Sequence, residues 1–288
     1  MNKKGRLIKA TITVNISAPH SGGNTALMMP KMFQGLNVNH TPFKVQLEIF
    51  DHFSRCAEQI LELRKKKRVI LVVNGDAIDG DHHGTHEVFT RNKSEQKQVH
   101  IDLFDFFMKK IKFNKGAGDL LYYTIGTEVH TSDVEHEIGE DLEAEPDTSG
   151  LYAHRALKLD INGRLCWWLH HGTTAGDGAN LGNAHRNWIR NKYFNKLIAA
   201  KRIPDFVCTA HFHHPSWIDY TAGAGNDWKR VRGLITPSWQ APTRYGHRTS
   251  KDKITYVGMW AQEIKADGTM PDPVPMMHEI DLSVPLMV

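Results

Sequence analysis

Cysteine is scarce: three in 288 residues, Cys56, Cys166 and Cys208, far apart and without a C-x-x-C pair. This excludes a disulfide framework and a thiolate zinc site, and it fits a reducing compartment. Long apolar runs are missing too. None approaches the roughly 20 residues needed to cross a bilayer, and Lys9 with interspersed threonines and asparagine interrupts any apolar stretch behind the basic N-terminus. No membrane partner is expected. The expected compartment is the cytoplasm, that of the host cell if the gene is viral. Repeats, low-complexity tracts and linkers are absent, so a single domain over residues 1–288 is expected. Charge of one sign is modest: a net +4 suits a polyanionic partner without demanding one. With 40% apolar and 24% charged residues, disorder is excluded.

Histidine is what the chain has in abundance, eighteen in all. Histidines and aspartates gather where apolar runs end: Ile16-Ser17-Ala18-Pro19-His20, Asn74-Gly75-Asp76-Ala77-Ile78-Asp79, His170-His171-Gly172 and Ala210-His211-Phe212-His213-His214. Imidazoles and carboxylates on short turns suit zinc, manganese or iron, and one carboxylate can bridge two ions.

Strand and helix patterns alternate along the chain. Ile8, Ala10, Ile12 and Val14 alternate within a strand over Leu7–Ile16. Thr41-Pro42 reads as an N-cap with proline in the first turn. Phe43, Leu47, Phe50, Phe53, Ala57 and Ile60 then mark a long amphipathic helix ending in the basic run Arg64–Arg68. Val69–Val73 is uninterrupted and apolar, as a buried central strand is. A second helix is expected over Ser94–Phe113, a strand over Leu120–Ile125 and a short acidic helix over Asp133–Glu145. Asn162-Gly163 splits Ala156–Leu169 into a hairpin. A basic helix over Leu181–Lys201 and a strand over Asp205–Thr209 follow, then short β-like pieces. The expected fold is α/β, a layered sandwich of mixed β-sheets flanked by helices. Its crevice lies beyond the carboxyl ends of the strands, where the histidines stand.

Each motif has a plainer reading. Gly-Asp-x-x-Asp alone is commonly an Asx turn. His211 and His213 alternate on an extended segment, which would aim both to one side, though paired histidines are often merely structural. His82, His83 and His86 fit a solvated loop better than a second cluster. Arg64–Arg68 fits a solvated turn favoured by the helix dipole. Arg186, Arg190, Lys192 and Lys196 with Trp188 and Tyr193 fit a nucleic-acid face or basic residues over an aromatic core stripe.

Taken together, the segments resemble the calcineurin-like metallophosphoesterase family. Its pattern runs D-x-H, G-D-x-x-D, G-N-H-D/E, a histidine before glycine, then G-H-x-H. Here the series reads Ala18-Pro19-His20, Gly75-Asp76-Ala77-Ile78-Asp79, Gly126-Thr127-Glu128-Val129-His130, His171-Gly172 and Ala210-His211-Phe212-His213. The second and fifth blocks match well; the first and third are degenerate.

The resemblance implies two divalent metal ions (Mn, Zn, Fe or Ni). His20 and His213 would hold the first, His171 and His211 the second, and Asp76 would bridge them. Asp79 would orient its neighbours. His130 would take the place of the catalytic histidine. Thr127 aligns with the family's metal-binding asparagine, but Glu128 is expected as the ligand, because a carboxylate binds such cations more strongly than a hydroxyl. The implied reaction is hydrolysis of a phosphoester by a metal-activated water, with no covalent intermediate, on phosphodiesters of nucleotides or nucleic acid, as in a nuclease. A phosphomonoesterase is the alternative. Ala18, standing where the family has a ligand aspartate, would weaken the first ion and raises a third reading: an impaired member that binds without turning over. Whether the alanine is natural or introduced stays open.

Overall fold

A computed structural model describes residues 9–81, 87–130, 133–176, 180–193, 203–224, 227–243 and 255–280. His82, His83 and His86, the beginning of the first strand and the end of the basic helix beyond Tyr193 lie outside them.

Two mixed sheets pack face to face. In the first, β1 (Thr11–Ile16) lies at the centre. A two-stranded ribbon, β2 (Phe33–Gln34) with β3 (Asn39–His40), and helix α1 (Lys44–Arg64) follow it in the chain. β1 pairs in parallel with β4 (Arg68–Asn74). Helix α2 (Lys93–Lys110) leads to β5 (Leu120–Thr124), parallel to β4. Helix α3 (Val134–Asp141) leads to the short edge strand β6 (Ala153–His154). The second sheet holds β7 (Leu157–Ile161), β8 (Arg164–Leu169) and, after helix α4 (Asn183–Tyr193), β9 (Phe206–Thr209). The hairpin of β10 (Ser216–Ala224) and β11 (Asp227–Ile235) completes it. The chain then returns through antiparallel β12 (Thr255–Ile264) and β13 (Val274–Ile280). The spatial orders are β13-β12-β1-β4-β5-β6 and β10-β11-β9-β8-β7. The layered α/β fold expected from the sequence is observed, with longer strands after Trp217 than the short pieces expected.

Residue parity sorts the layers. In β4, Val69, Leu71 and Val73 face the helices and pack with Phe53, Ala57, Ile60, Phe104 and Phe107. Ile70 and Val72 face the other way and meet Cys166, Trp168, Phe206, Cys208 and Leu234 of the second sheet. Both faces of β4 are thus buried, which explains its unbroken apolar run. On the outer face of the second sheet, Ile189 and Tyr193 of α4 pack on Val207 and Val231. The aromatic stripe of that basic helix is therefore core, while Arg186 and Arg190 are exposed. Burying each such large apolar side chain contributes about 1.5–3 kcal/mol.

Two local expectations are corrected. Helix α1 is capped by Phe43, not Thr41: the Phe43 amide donates to Gln46 Oε1 at 3.0 Å, and Gln46 Nε2 donates to the Gly23 and Ala26 carbonyls. A glutamine that braces a neighbouring loop outweighs the usual Thr-Pro start. Arg64 is not solvated. It pairs with Asp119 at 2.8 Å and donates to the Ile111 and Lys112 carbonyls, clamping α1 to the end of α2.

The strand ends are aligned. Ile16 pairs with Val73, Asn74 with Thr124, and Leu169 with Thr209. Asn74 links the two sheets at this edge. Its Nδ2 donates to the Leu169 carbonyl at 3.3 Å, and its Oδ1 accepts from Thr124 Oγ1 at 2.7 Å. The loops beyond β1, β4, β5, β8 and β9 consequently open onto one shared edge.

Candidate metal centre

Five residues on that edge hold left-handed backbone angles that non-glycine residues rarely adopt: Ala18 (φ 46°), His20 (48°), Asp76 (52°), His211 (71°) and His213 (52°). Each costs roughly 1–2 kcal/mol, and a cluster of such angles is a mark of functional loops. Two glycines allow the loops to touch. A Cβ on Gly75 would collide with the His170 imidazole, and one on Gly126 with the Asp76 backbone and carboxylate.

The side chains form two groups. His20, Asp79 and His130 form the first, and His170, His171 and His211 the second, with the potential ligand atoms of each within 4.8 Å of one another. In the first group His20 Nδ1 meets Asp79 Oδ1 at 3.1 Å, which turns His20 Nε2 toward His213 Nε2, 3.3 Å away. His130 Nδ1 donates to the Asp79 carbonyl at 2.7 Å. Asp79 thus orients two histidines at once, through its carboxylate and its backbone.

In the second group His170 Nδ1 donates to the Asn74 carbonyl at 2.8 Å, so its Nε2 points at Asp76 Oδ2, 2.9 Å away. Asp76 Oδ1 also accepts from the Thr127 amide at 2.6 Å. Thr127 Oγ1 is at the centre of this group, 3.3 Å from His170 Nε2, 3.3 Å from His211 Nδ1 and 3.5 Å from His171 Nε2.

Charge states follow from these contacts. Burial opposes the Asp76 charge, but the bond from His170 and the nearby His20 and His130 hold its carboxyl well below the usual range. Burial likewise opposes protonation of His170, yet the Asp76 carboxylate outweighs it and raises that imidazole. Burial pushes His211 down to about 4 and His213 to about 3, with neighbouring histidines adding to the effect. Burial and His170 lower His171 as well. His171, His211 and His213 are therefore neutral at pH 7, the form that binds metal.

The predicted site residues His20, Asp76, His130, His171, His211 and His213 all lie at this edge. Glu128 does not join them: it is exposed and belongs to neither group, and the Thr127 hydroxyl stands among the imidazoles instead. The tight Gly126-Thr127 turn against Asp76 fixes which side chain faces inward. His211 and His213 do not alternate on an extended strand either. Their left-handed angles send His211 toward His170 and His171, and His213 toward His20.

Sequence reasoning named the His170-His171-Gly172 segment but gave His170 no role, and it missed Glu135. Strand parity held the signal for His170, since Trp168 faces the inter-sheet core and a residue two positions on faces the same way. Glu135, on α3, is fully buried. Its Oε2 accepts from the Gly126 amide at 2.7 Å and its Oε1 from the Ala77 amide at 3.3 Å, so one carboxylate braces both site loops. Burial raises it to about 7 against those two bonds. No pattern in the sequence announces that role.

The donor set fits divalent cations. Two imidazole nitrogens bound to one tetrahedral zinc at about 2.0–2.1 Å stand roughly 3.3–3.4 Å apart, which is the His20–His213 separation. His20 places its Nδ1 on the Asp79 carboxylate, leaving Nε2 to face His213, as a metal-ligating histidine does. Thiol nucleophiles are ruled out: all three cysteines are buried and unpaired, with burial pushing Cys56 and Cys208 up to about 12. Among the described residues no helix is long and apolar enough to cross a membrane.

No family model matches the chain, and a search of curated proteins found no relative. Solved structures similar to it include a predicted phosphoesterase of Streptococcus pneumoniae, at 10% identity and TM-score 0.32, covering 95% of this chain and 99% of that one. Vps29 of Chaetomium thermophilum is similar at 10% identity and TM-score 0.35, over 97% of this chain and 100% of that one. A phosphatase of Mycoplasma pneumoniae is similar at 11% identity and TM-score 0.38, over 94% of each chain.

Proposed function

We propose that the chain is a calcineurin-like metallophosphoesterase: a divalent-metal-dependent hydrolase of phosphoesters, acting on phosphodiesters of nucleotides or nucleic acid. The observation that carries this reading is the co-ligand spacing of His20 and His213 beside the group of His170, His171 and His211, with the ionised Asp76 touching His170. His20 and His213 would hold one ion. His171 and His211 would hold the other, with His170 and Thr127 beside them, and Asp76 would serve both. Bound there, such ions supply charge that polarises a phosphoryl oxygen and makes water acidic enough to attack.

The chain's own residues do the rest. Asp76, ionised by its neighbours, and the neutral His171, His211 and His213 present lone pairs without prior loss of a proton. Asp79 keeps His20 and His130 in register. Because His130 Nδ1–H is held by the Asp79 carbonyl, a proton for the departing oxygen would be carried on Nε2. The mild positive charge favours an anionic substrate.

Ala18 favours a second reading, a member that binds phosphoesters without turning them over. It is fully buried two residues before His20 and offers no ligand atom. Hydrolysis of bis-p-nitrophenyl phosphate and p-nitrophenyl phosphate with added manganese separates the cases. Diester cleavage is expected. Cleavage of the monoester alone would move the assignment to a phosphomonoesterase. Inertness of both the parent chain and Ala18→Asp with Mn, Zn, Fe and Ni would leave the binding reading.

A further inference from the structure

Gln96 and His100 stand one turn apart on the inner face of α2, both wholly buried. Neither belongs to the two candidate ligand groups. We propose that they are positioning residues: together they set the loop from Asp76 to Gly80, and through Asp79 they fix the aim of His20 and His130.

Their contacts bracket Asp79. Gln96 Oε1 accepts from the Gly80 amide at 2.8 Å. Its Nε2 donates to the Gly80 carbonyl at 3.1 Å and to the Thr90 carbonyl at 2.7 Å. One side chain thus holds both backbone polar groups of the residue after Asp79. Gly80 fits there because it has no side chain: at φ 77°, a Cβ would collide with the His130 carbonyl. One turn on, His100 Nδ1 donates to the Ala77 carbonyl at 3.0 Å, with Ser21 Oγ 3.3 Å away. Ala77 follows Asp76 and Ser21 follows His20. A carbonyl only accepts, so Nδ1 carries the proton and Nε2 accepts from Tyr123 Oη at 3.0 Å. Burial lowers His100 to about 3, so this neutral form holds at pH 7.

From this loop the contacts reach both histidines. The Asp79 amide donates to the Ser21 carbonyl at 3.1 Å. The Asp79 carboxylate meets His20 Nδ1 at 3.1 Å, and its carbonyl accepts from His130 Nδ1 at 2.7 Å. Helix α2 has its own anchor, because Leu103, Phe104 and Phe107 pack in the core with β4. Loss of the polar pair should therefore release the loop and leave the helix in place. A misplacement of about 1 Å can cost about 100-fold in rate.

The role in turnover rests on the phosphoesterase reading, while the aim of the rings can be read without metal. Gln96→Met removes three bonds at nearly constant volume. His100→Phe keeps a ring but loses the donor. His100→Asn keeps a donor near the Nδ1 position and leaves a cavity beside Tyr123. All are compared once circular dichroism shows the parental fold. In long-range proton–nitrogen NMR spectra of the metal-free protein, His20 and His130 are expected as Nδ1–H tautomers in the parent and in His100→Asn. Gln96→Met and His100→Phe should lose that signature, with His185 unchanged. With manganese and bis-p-nitrophenyl phosphate, kcat should fall roughly 10–100-fold in those two at nearly constant KM, and stay within about 3-fold of the parent in His100→Asn. His100→Asn should be the less stable of the two His100 variants, so a merely structural role would rank them the other way. Positioning by α2 is refuted if Gln96→Met and His100→Phe keep the parental ring signals, or if His100→Asn loses them as His100→Phe does. If Gln96→Met does not fold, the two His100 variants decide. A parent inactive with Mn, Zn, Fe and Ni would overturn the phosphoesterase reading instead, and the ring spectra would still decide whether α2 aims the histidines.

Discussion

Asp76 and His170 meet at 2.9 Å across the seam between the two sheets, one just past β4 and the other just past β8. Neither strand could assemble the centre alone. Asn74, one turn earlier, bonds to the Leu169 carbonyl and keeps the two strand ends level. The candidate metal centre is therefore tied to the contact between the two sheets.

Asp76→Asn tests the proposed shared ligand directly. The amide keeps the shape but loses the charge that accepts from Thr127 and His170. Bound metal, measured by elemental analysis after loading with manganese or zinc, is expected to fall to well under half of the parent value. Unchanged stoichiometry would remove Asp76 as a bridge.

His130→Ala addresses the proposed proton donor. Metal content should be kept, while turnover falls by roughly 10²–10⁴-fold for substrates with poor leaving groups. Good leaving groups should suffer much less. Equal slowing across a series of aryl phosphodiesters would rule out an acid role.

Ala18→Asp should strengthen metal binding at the first group. The left-handed angle at this position (φ 46°) is one that aspartate tolerates better than alanine does. A gain of about 10-fold or more in affinity, seen by isothermal titration with manganese, is expected from one added carboxylate. No gain with any of the four metals would show that a carboxylate here cannot reach the ion.

Glu135→Gln turns one of two accepting oxygens into a donor that faces an amide N–H of Gly126 or Ala77. The loss of one buried bond should destabilise the fold by about 1–3 kcal/mol, measured by urea unfolding. It should also lower metal affinity, because both site loops hang on this side chain. Parental stability would mean that the loops are held by other contacts.

Stability should fall in mild acid, and His185 is one of the buried histidines that contribute. Burial between α4 and β10–β11 lowers it to about 4, with Ser216 Oγ 3.1 Å from Nδ1. The unfolded chain takes up a proton near pH 6.5 while the folded one resists, so the stabilising contribution is complete above 6.5 and disappears as pH falls toward 4. The effect is on the order of 3 kcal/mol. His185→Gln should reduce the slope of melting temperature against pH over that window; an unchanged slope would show that His185 does not contribute.

How much was legible varied with the kind of interaction. Alternation in β1 and the α1 periodicity were readable because apolar residues repeat with a fixed period, the run of β4 because both of its faces are buried, and the Asn162-Gly163 hairpin because its turn has its own residue preference. The loop positions of His20, Asp76, His130, His171, His211 and His213 were readable because they follow apolar runs. Glu128 was preferred for its charge, since sequence says which residue binds better and not which one faces inward. Arg64 looked solvated because its partner Asp119 is distant in the chain.

By itself, then, the sequence determined the layered α/β fold and the five loops that carry the chemistry, since both are written in short-range patterns of apolar and polar residues. Tertiary structure alone decided the directions of the side chains. Left-handed turns separate His211 from His213, the Gly126 turn presents Thr127 in place of Glu128, and sheet-on-sheet packing delivers His170 to Asp76. Those directions depend on backbone angles and on contacts between remote segments, and no local pattern encodes either.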